Sequence, residues 1–300
     1  VATLVVAGRA QSRRNTALAL RATADVARRP RNGRERATIV GVLATMAVLL
    51  GVPIAVLVDR SLSTRSGYGF GYYRSLSTIH AGSSLFVPPS EAIRNSLVFA
   101  TAATVIALVV GGLASFALAS RRPGHGVTRA GFDMLLMLPL GTSAVTIGFG
   151  FLIALDHPPL DLRTSPLLIP IAHALVAIPF VVRIMLPVLR SVDNRLREAA
   201  SVLGASPARV WREVDLPIVA RAALVAAGFA FAISLGEFGA TIFIVRPDYP
   251  TLPVEIYRLL THPGIDNFGA AMAASTILMV VTAAAVLTIE RFRVRGVGEF

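Results

Sequence analysis

An all-α, polytopic bundle of six membrane-spanning helices is the fold this sequence predicts, and three observations predict it. The 300-residue chain is 54% hydrophobic and only 15% charged, with a mean hydropathy of +0.68, whereas a soluble domain carries about 25% charged residues. Six stretches reach the roughly 20 apolar residues needed to cross about 30 Å of hydrocarbon. The arginines are shared unequally among the segments between those stretches.

The six stretches are 37–58, 93–119, 130–155, 167–189, 218–244 and 269–289. All are rich in Ala, Val, Leu and Ile, and most contain Gly or Pro. Membrane helices tolerate both residues better than soluble helices do. A buried soluble helix of 10–14 residues would show one apolar stripe, but these stretches are longer and apolar on all sides. The third carries Pro139, Gly141, Thr142 and Ser143, a point where the helix can break. No repeat of 20–50 residues runs through the chain.

The 29 basic residues are all arginine, against 17 acidic residues, for a net charge of +12. Segments 1–36, 120–129, 190–217 and 290–300 hold 20 of the 29. Segments 59–92, 156–166 and 245–268 hold Arg60, Arg65, Arg74, Arg163, Arg246 and Arg258, with Arg94 near the same side. Arginine-rich segments stay in the cytoplasm, so both termini are expected there and the chain is placed in the cell inner membrane. The basic excess thus records topology rather than a nucleic-acid partner, although 28–36 also suits an anionic lipid surface. Residues 1–36 form a cytoplasmic tail or a linker between two halves of a longer chain, 37–292 the membrane domain, and 293–300 a second tail. Residues 1–8 are apolar but too short to cross, and they read either as a truncated start or as the stub of an earlier span.

Composition also excludes functions. Without lysine there is no Walker-type phosphate loop and no Schiff base. Without cysteine there is no disulfide, thiolate metal site or thiol nucleophile. The five histidines, His80, His125, His157, His173 and His262, lie in separate segments without metal-site spacing. The run Gly67-Tyr68-Gly69-Phe70-Gly71 superficially matches a dinucleotide loop, but no strand is expected before it and no helix after it at the right place. No enzyme active site, cofactor or metal is therefore expected; a polytopic membrane enzyme and a membrane scaffold stand as the alternative classes.

The segment 190–217 reads RSVDNRLREAASVLGASPARVWREVDLP. Asp193 suits the N-cap of a short helix that ends at Gly204, where glycine enters the left-handed conformation without steric cost. Ser206 then caps a second helix with Pro207 at its first position, running to about Leu216 and stopping at Pro217. Neither helix is long enough to be stable alone, so the bundle or a partner must hold them. An ordinary amphipathic hairpin is the plainer alternative.

Glu198-Ala199-Ala200, three residues, Gly204, nine residues and then Val214-x-Leu216-Pro217 resembles the EAA signature of the permeases of binding-protein-dependent ABC importers. The resemblance covers roughly 93–290. It includes Asn95-Ser96-Leu97, Leu138-Pro139, 173–180 and Ser234-Leu235-Gly236-Glu237-Phe238-Gly239-Ala240. It implies a type I importer-like fold and a loop 190–217 that docks on a cytoplasmic ATP-binding subunit, itself a dimer. Glu198, Ala199, Ala200 and Gly204 would lie at that interface, with Leu203, Val210 and Trp211 as apolar anchors. It further implies an extracytoplasmic solute-binding protein on loops 59–92 and 245–268, and a second permease half, either a sister chain, a fused half or a second copy. Within the family the chain is similar to the ferric iron, thiamine and sulfate/molybdate branches, with ferric iron first.

A carboxylate within a span faces a bundle interior or water rather than lipid. Glu237, with Ser234 one turn back, is a candidate for the translocation path or a gate; the alternative is a structural pairing with Arg183 or a backbone group. His173, Thr142 and Ser143 are weaker candidates for the same path, His173 being equally suited to packing through hydrogen bonds. Arg183 suits a snorkelling role.

Overall fold

The computed structural model describes residues 30, 32–65, 67–78, 87–119, 126–155, 157, 161, 162, 165–192 and 194–294. Most of the tail 1–36, the end of the tail 293–300, and the proposed cap Asp193 lie outside these residues. In chain order the elements are α1 (Gly33–Leu62), β1 (Ser63–Thr64), β2 (Gly67–Tyr68), α2 (Gly71–Ser75) and α3 (Pro89–Ala119). Then come α4 (Gly126–Gly141), α5 (Ala144–Ala154), α6 (Leu168–Ser191), α7 (Asn194–Val202), α8 (Pro207–Val210) and a π turn (Trp211–Asp215). The chain closes with α9 (Leu216–Leu235), α10 (Thr241–Ile244), α11 (Leu252–Thr261) and α12 (Ile265–Val294). It divides into two units at residues 56 and 57. The first holds the long apolar part of α1 and the second holds everything that follows.

Five helices among the described residues are long and apolar enough to cross a membrane, and the pair α4–α5 makes a sixth span if taken together. That pair bends by 105°. Pro139 and Gly141 weaken the helix there, and Ser143 is extended (φ −64°, ψ 136°). The expected weak point is a real break. The fifth stretch, expected to be continuous over 218–244, is not: α9 ends at Leu235 and the chain turns through 236–240 before α10.

In the second unit, α3, α6 and α9 pack on one another around Ala103, Ala107, Ala174, Ala177, Val181, Ala226 and Ala230. Without a hydrophobic drive inside lipid, helices associate by close packing, and alanine permits the approach. Large apolar side chains such as Val105, Val109 and Leu113 of α3 and Leu224 and Phe229 of α9 point outward, as lipid-facing positions should.

Two further expectations require correction. A two-residue antiparallel ribbon precedes Gly69 and a one-turn helix follows it, so strand and helix are both present. Among the described residues the ribbon pairs only with itself, which is a hairpin and not the βαβ setting of a dinucleotide site. Second, the segment 245–268 is not simply a loop. Pro253 sits in the first turn of α11, where its missing N–H costs nothing.

Candidate functional site

At the end where α6 finishes and α9 begins, the segment after α6 folds into α7 and α8 around a corner. Gly204 has φ +83°, a conformation that costs an L-residue about 1–2 kcal/mol. The Ser206 hydroxyl accepts from the Arg209 amide at 3.4 Å, with Pro207 at the first helical position. The second helix does not stop at Pro217. It passes through the π turn directly into α9, with Pro217 in that helix's first turn, so α8, the π turn and the fifth span are one continuous element.

The proposed interface residues separate into two groups. Glu198, Ala199 and Gly204 are exposed, Ala200 is half-buried, and Leu203 is 87% exposed beside Val202 at 86%. Two neighbouring aliphatic side chains held in solvent at a helix tip are an unusual surface. Val210, in contrast, is buried and packs inward, so it is not offered to a partner in this structure. Trp211 is 38% exposed, and its ring meets Phe116 of α3 edge-on at 5.1 Å. Sequence reasoning missed two features here: the π turn, and the ion pair between Arg197 Nε and Asp215 Oδ1 at 2.9 Å.

The opposite end carries the second group of candidates. The His173 side chain, buried in α6, spans the break that follows α9. Nδ1 lies 2.7 Å from Ser234 Oγ, before the break, and Nε2 lies 2.6 Å from Thr241 Oγ1, after it. Thr241 Oγ1 donates its proton to the Glu237 carbonyl at 3.1 Å. It must therefore accept from Nε2–H, and Nδ1 accepts from Ser234, so the network selects one neutral tautomer. Glu237 Oε1 accepts from the Ala240 amide at 2.9 Å, satisfying a main-chain donor at the start of α10. This is the backbone pairing weighed from sequence. Thr241 carried no sequence signal, because a threonine in an apolar stretch is unremarkable.

Thr142 and Ser143 are exposed, and the Thr142 hydroxyl donates instead to the Leu138 carbonyl of its own helix at 3.0 Å. The helix they launch does reach it. A Cβ at Gly148 of α5 would overlap the backbone of Ala240, and Phe149 meets Phe243 edge-on at 5.9 Å. Only a residue without a side chain permits that approach. The two helix breaks of the second unit are thus packed against each other, with His173 behind them.

The 236–240 turn also touches the outer helix α11, through Phe238 and Tyr257 with rings 5.3 Å apart. The start of α11 is in turn docked on α3. Asn95 Nδ2 donates to the Pro250 carbonyl at 3.3 Å, and Ser96 Oγ accepts from the Leu252 amide at 2.7 Å.

A helical membrane bundle with broken spans at one end and a glycine-cornered pair of short helices at the other has the architecture of a solute permease. Residues 107–296 match the family described as binding-protein-dependent transport system inner membrane component, and the chain belongs to that family of ABC-importer permeases. It is 28% identical over 264 residues to the putative 2-aminoethylphosphonate transport system permease protein PhnV of Salmonella paratyphi A, covering 85% of this chain and 94% of that protein. It is 29% identical over 231 residues to the corresponding PhnU of Salmonella typhi, covering 72% and 77%. The probable ABC transporter permease protein y4fN of Sinorhizobium fredii is 27% identical over 272 residues, which are 87% of this chain and 47% of that protein. In fold, the chain is similar to a solved bacterial ABC transporter involved in the import of the acidic polysaccharide alginate, with a TM-score of 0.63 at 18% identity, covering 88% of this chain and 96% of that one.

Proposed function

We propose that the chain is the membrane-spanning subunit of an ATP-driven importer of a small phosphonate, working with an ATPase dimer at α7–α8 and a solute-binding protein at the opposite face. The observation that carries this is the tip of α7. Val202 and Leu203 stand exposed beside the Gly204 corner, on an arginine-rich segment at the end remote from α11. An aliphatic knob of this kind needs a groove on a partner. The arginine count favours the cytoplasm for that face and for both termini.

Import then proceeds by alternation between outward- and inward-open arrangements. Closure of the ATPase dimer moves α7 and α8, and the motion enters the membrane through α9. The paired breaks at 141–144 and 236–240 form the gate toward the binding-protein side. His173, Ser234, Thr241 and Glu237 hold the second break in register, and Thr142 and Ser143 line the bend of the first. The chain itself performs no covalent chemistry in this reading, and its second half is a sister permease, a fused half or a second copy.

Sequence resemblance ranks ferric iron first, with thiamine and sulfate/molybdate behind it. The relatives above that carry a substrate in their names carry 2-aminoethylphosphonate instead, and we rank it first. Uptake of labelled 2-aminoethylphosphonate and of ferric iron in a strain deleted for this chain separates the two. Loss of phosphonate uptake with iron uptake unchanged is expected. The reverse result restores iron, and unchanged uptake of both removes the ranking. Co-purification of the ATPase with the parent chain, lost in Leu203→Asp, tests the docking face independently of solute.

A further inference from the structure

We propose that Arg197 and Asp215 are a positioning pair that yokes α7 to the fifth span, so that motion received at the α7 tip reaches the membrane through their ion pair rather than through the chain that joins them. The proposal rests on the permease reading above and names the residues that transmit the motion.

The connection along the backbone is poorly suited to carry a load. Between α7 and α8 the chain turns at Gly204, Ala205 and Ser206, with Gly204 at positive φ. Its hydrogen bonds are local, from the Leu203, Gly204 and Ala205 amides back to Ala199, Ser201 and Ala200 carbonyls. A nine-residue helix hung on such a corner has little stability of its own. The side-chain route is different. Arg197 lies in the second turn of α7, and its Nε meets Asp215 Oδ1 at 2.9 Å. Asp215 is buried and is the last residue of the π turn, immediately before Leu216 opens α9. Displacement of α7 therefore acts on the root of α9 directly.

The π turn supports the same assignment. Segments of this type are rare, appear mostly as single turns within α-helices, and are frequent at functional sites. Here Asp215 is held by Arg197 at one end, and Trp211 is packed on Phe116 of α3 at the other. The turn joins three elements: α7, α9 and α3. Arg209–Glu213 at 3.0 Å and Arg212–Glu213 at 3.7 Å also pair among the described residues of this segment, and all three side chains are at least half exposed. Exposed pairs contribute little. A buried carboxylate that loses its cation is left with an uncompensated desolvation cost, so the Arg197–Asp215 distance is the one that resists change.

The test is the complete importer, reconstituted in proteoliposomes with its second permease half, its ATPase and its binding protein, reading labelled 2-aminoethylphosphonate taken up per ATP hydrolysed. Asp215→Asn removes the carboxylate charge at unchanged size and should assemble as the parent does. Its uptake per ATP should fall by about tenfold, within the range of coupling energies between sites, while ATPase co-purification and basal hydrolysis persist. Arg197→Gln should do the same at a greater cost in stability, and Arg197→Lys should retain most of the coupling. Glu213→Gln, which removes only the exposed pairs, should match the parent. Uptake per ATP at the parent level in Asp215→Asn overturns the proposal, as does an equal fall in Glu213→Gln. A parent chain that binds no ATPase at all overturns the permease reading instead.

Discussion

Ser96 Oγ, near the start of α3, accepts a 2.7 Å hydrogen bond from the main-chain N–H of Leu252, 156 residues further along the chain. Leu252 is the first residue of α11, and its amide is one of the orphan donors of a helix N-terminus. The adjacent Thr251 is placed to cap it but makes no side-chain cap bond, and its hydroxyl is buried without a partner. The cap is supplied from another helix, and it also fixes where α11 sits. Ser96→Ala should cost about 1–3 kcal/mol, the penalty of a buried unsatisfied group. Amide hydrogen exchange should rise over 250–261 and stay unchanged over 194–216; equal exchange in both segments would remove this role for Ser96.

What could be read from sequence divides along the same line between local and remote causes. The apolar stretches were legible because composition and length alone decide whether a helix crosses lipid. The Gly204 corner with its Ser206-Pro207 cap was legible because every group it needs lies within three residues. The break at 236–240 was not, because its bonds come partly from His173, 61 and 68 residues away. Segment 245–268 read as a loop, and nothing local revealed that Leu252 begins a helix capped by Ser96. The π turn left no compositional trace, and a buried Asp215 is explained only by an arginine 18 residues earlier.

His173 is a hydrogen-bonding staple whether or not solute passes near it. Its two ring nitrogens serve hydroxyls on either side of a helix break. His173→Leu keeps the bulk and deletes both bonds, leaving the Ser234 hydroxyl to turn back on its own helix. A loss of about 1–3 kcal/mol is expected, seen as a lower thermal midpoint in detergent. His173→Gln, which still reaches with a donor and an acceptor, should recover part of it. Two variants that melt together with the parent would show that the staple carries no weight.

The contact of Gly148 with Ala240 makes a sharper prediction, because there is no flexible atom to move aside. A Cβ at Gly148 would meet the Ala240 backbone, so Gly148→Leu must separate the two breaks or fail to fold. The chain contains no cysteine, which allows Ala240→Cys to be read alone. Ala240 is fully buried, and a thiol there should resist a water-soluble maleimide in the parent background. It should label once Gly148→Leu is added, while Gly150→Leu, with open space around it, should leave it protected. Equal protection in both backgrounds would dissociate the two breaks.

Glu255 gives a pH dependence with a definite sign. It is fully buried on α11, outside the spans, with Oε2 3.4 Å from Arg258 and Oε1 without a partner. Burial raises its pKa above the ordinary carboxylate range, and the nearby Arg258 guanidinium offsets this only in part. A carboxyl with a raised folded-state pKa stabilises the fold fully below its unfolded value, and that contribution is lost as pH climbs through the raised one. Glu255→Gln resembles the protonated form at every pH. The difference in thermal midpoint between Glu255→Gln and the parent should therefore be small in acid and should grow in favour of the variant toward neutral pH. What the variant removes is the buried charge, and each kcal/mol so gained raises the midpoint by roughly 2–4 °C in a chain of this size. A difference that shrinks as pH rises would mean that Arg258 outweighs burial and that the carboxylate is held as an ion.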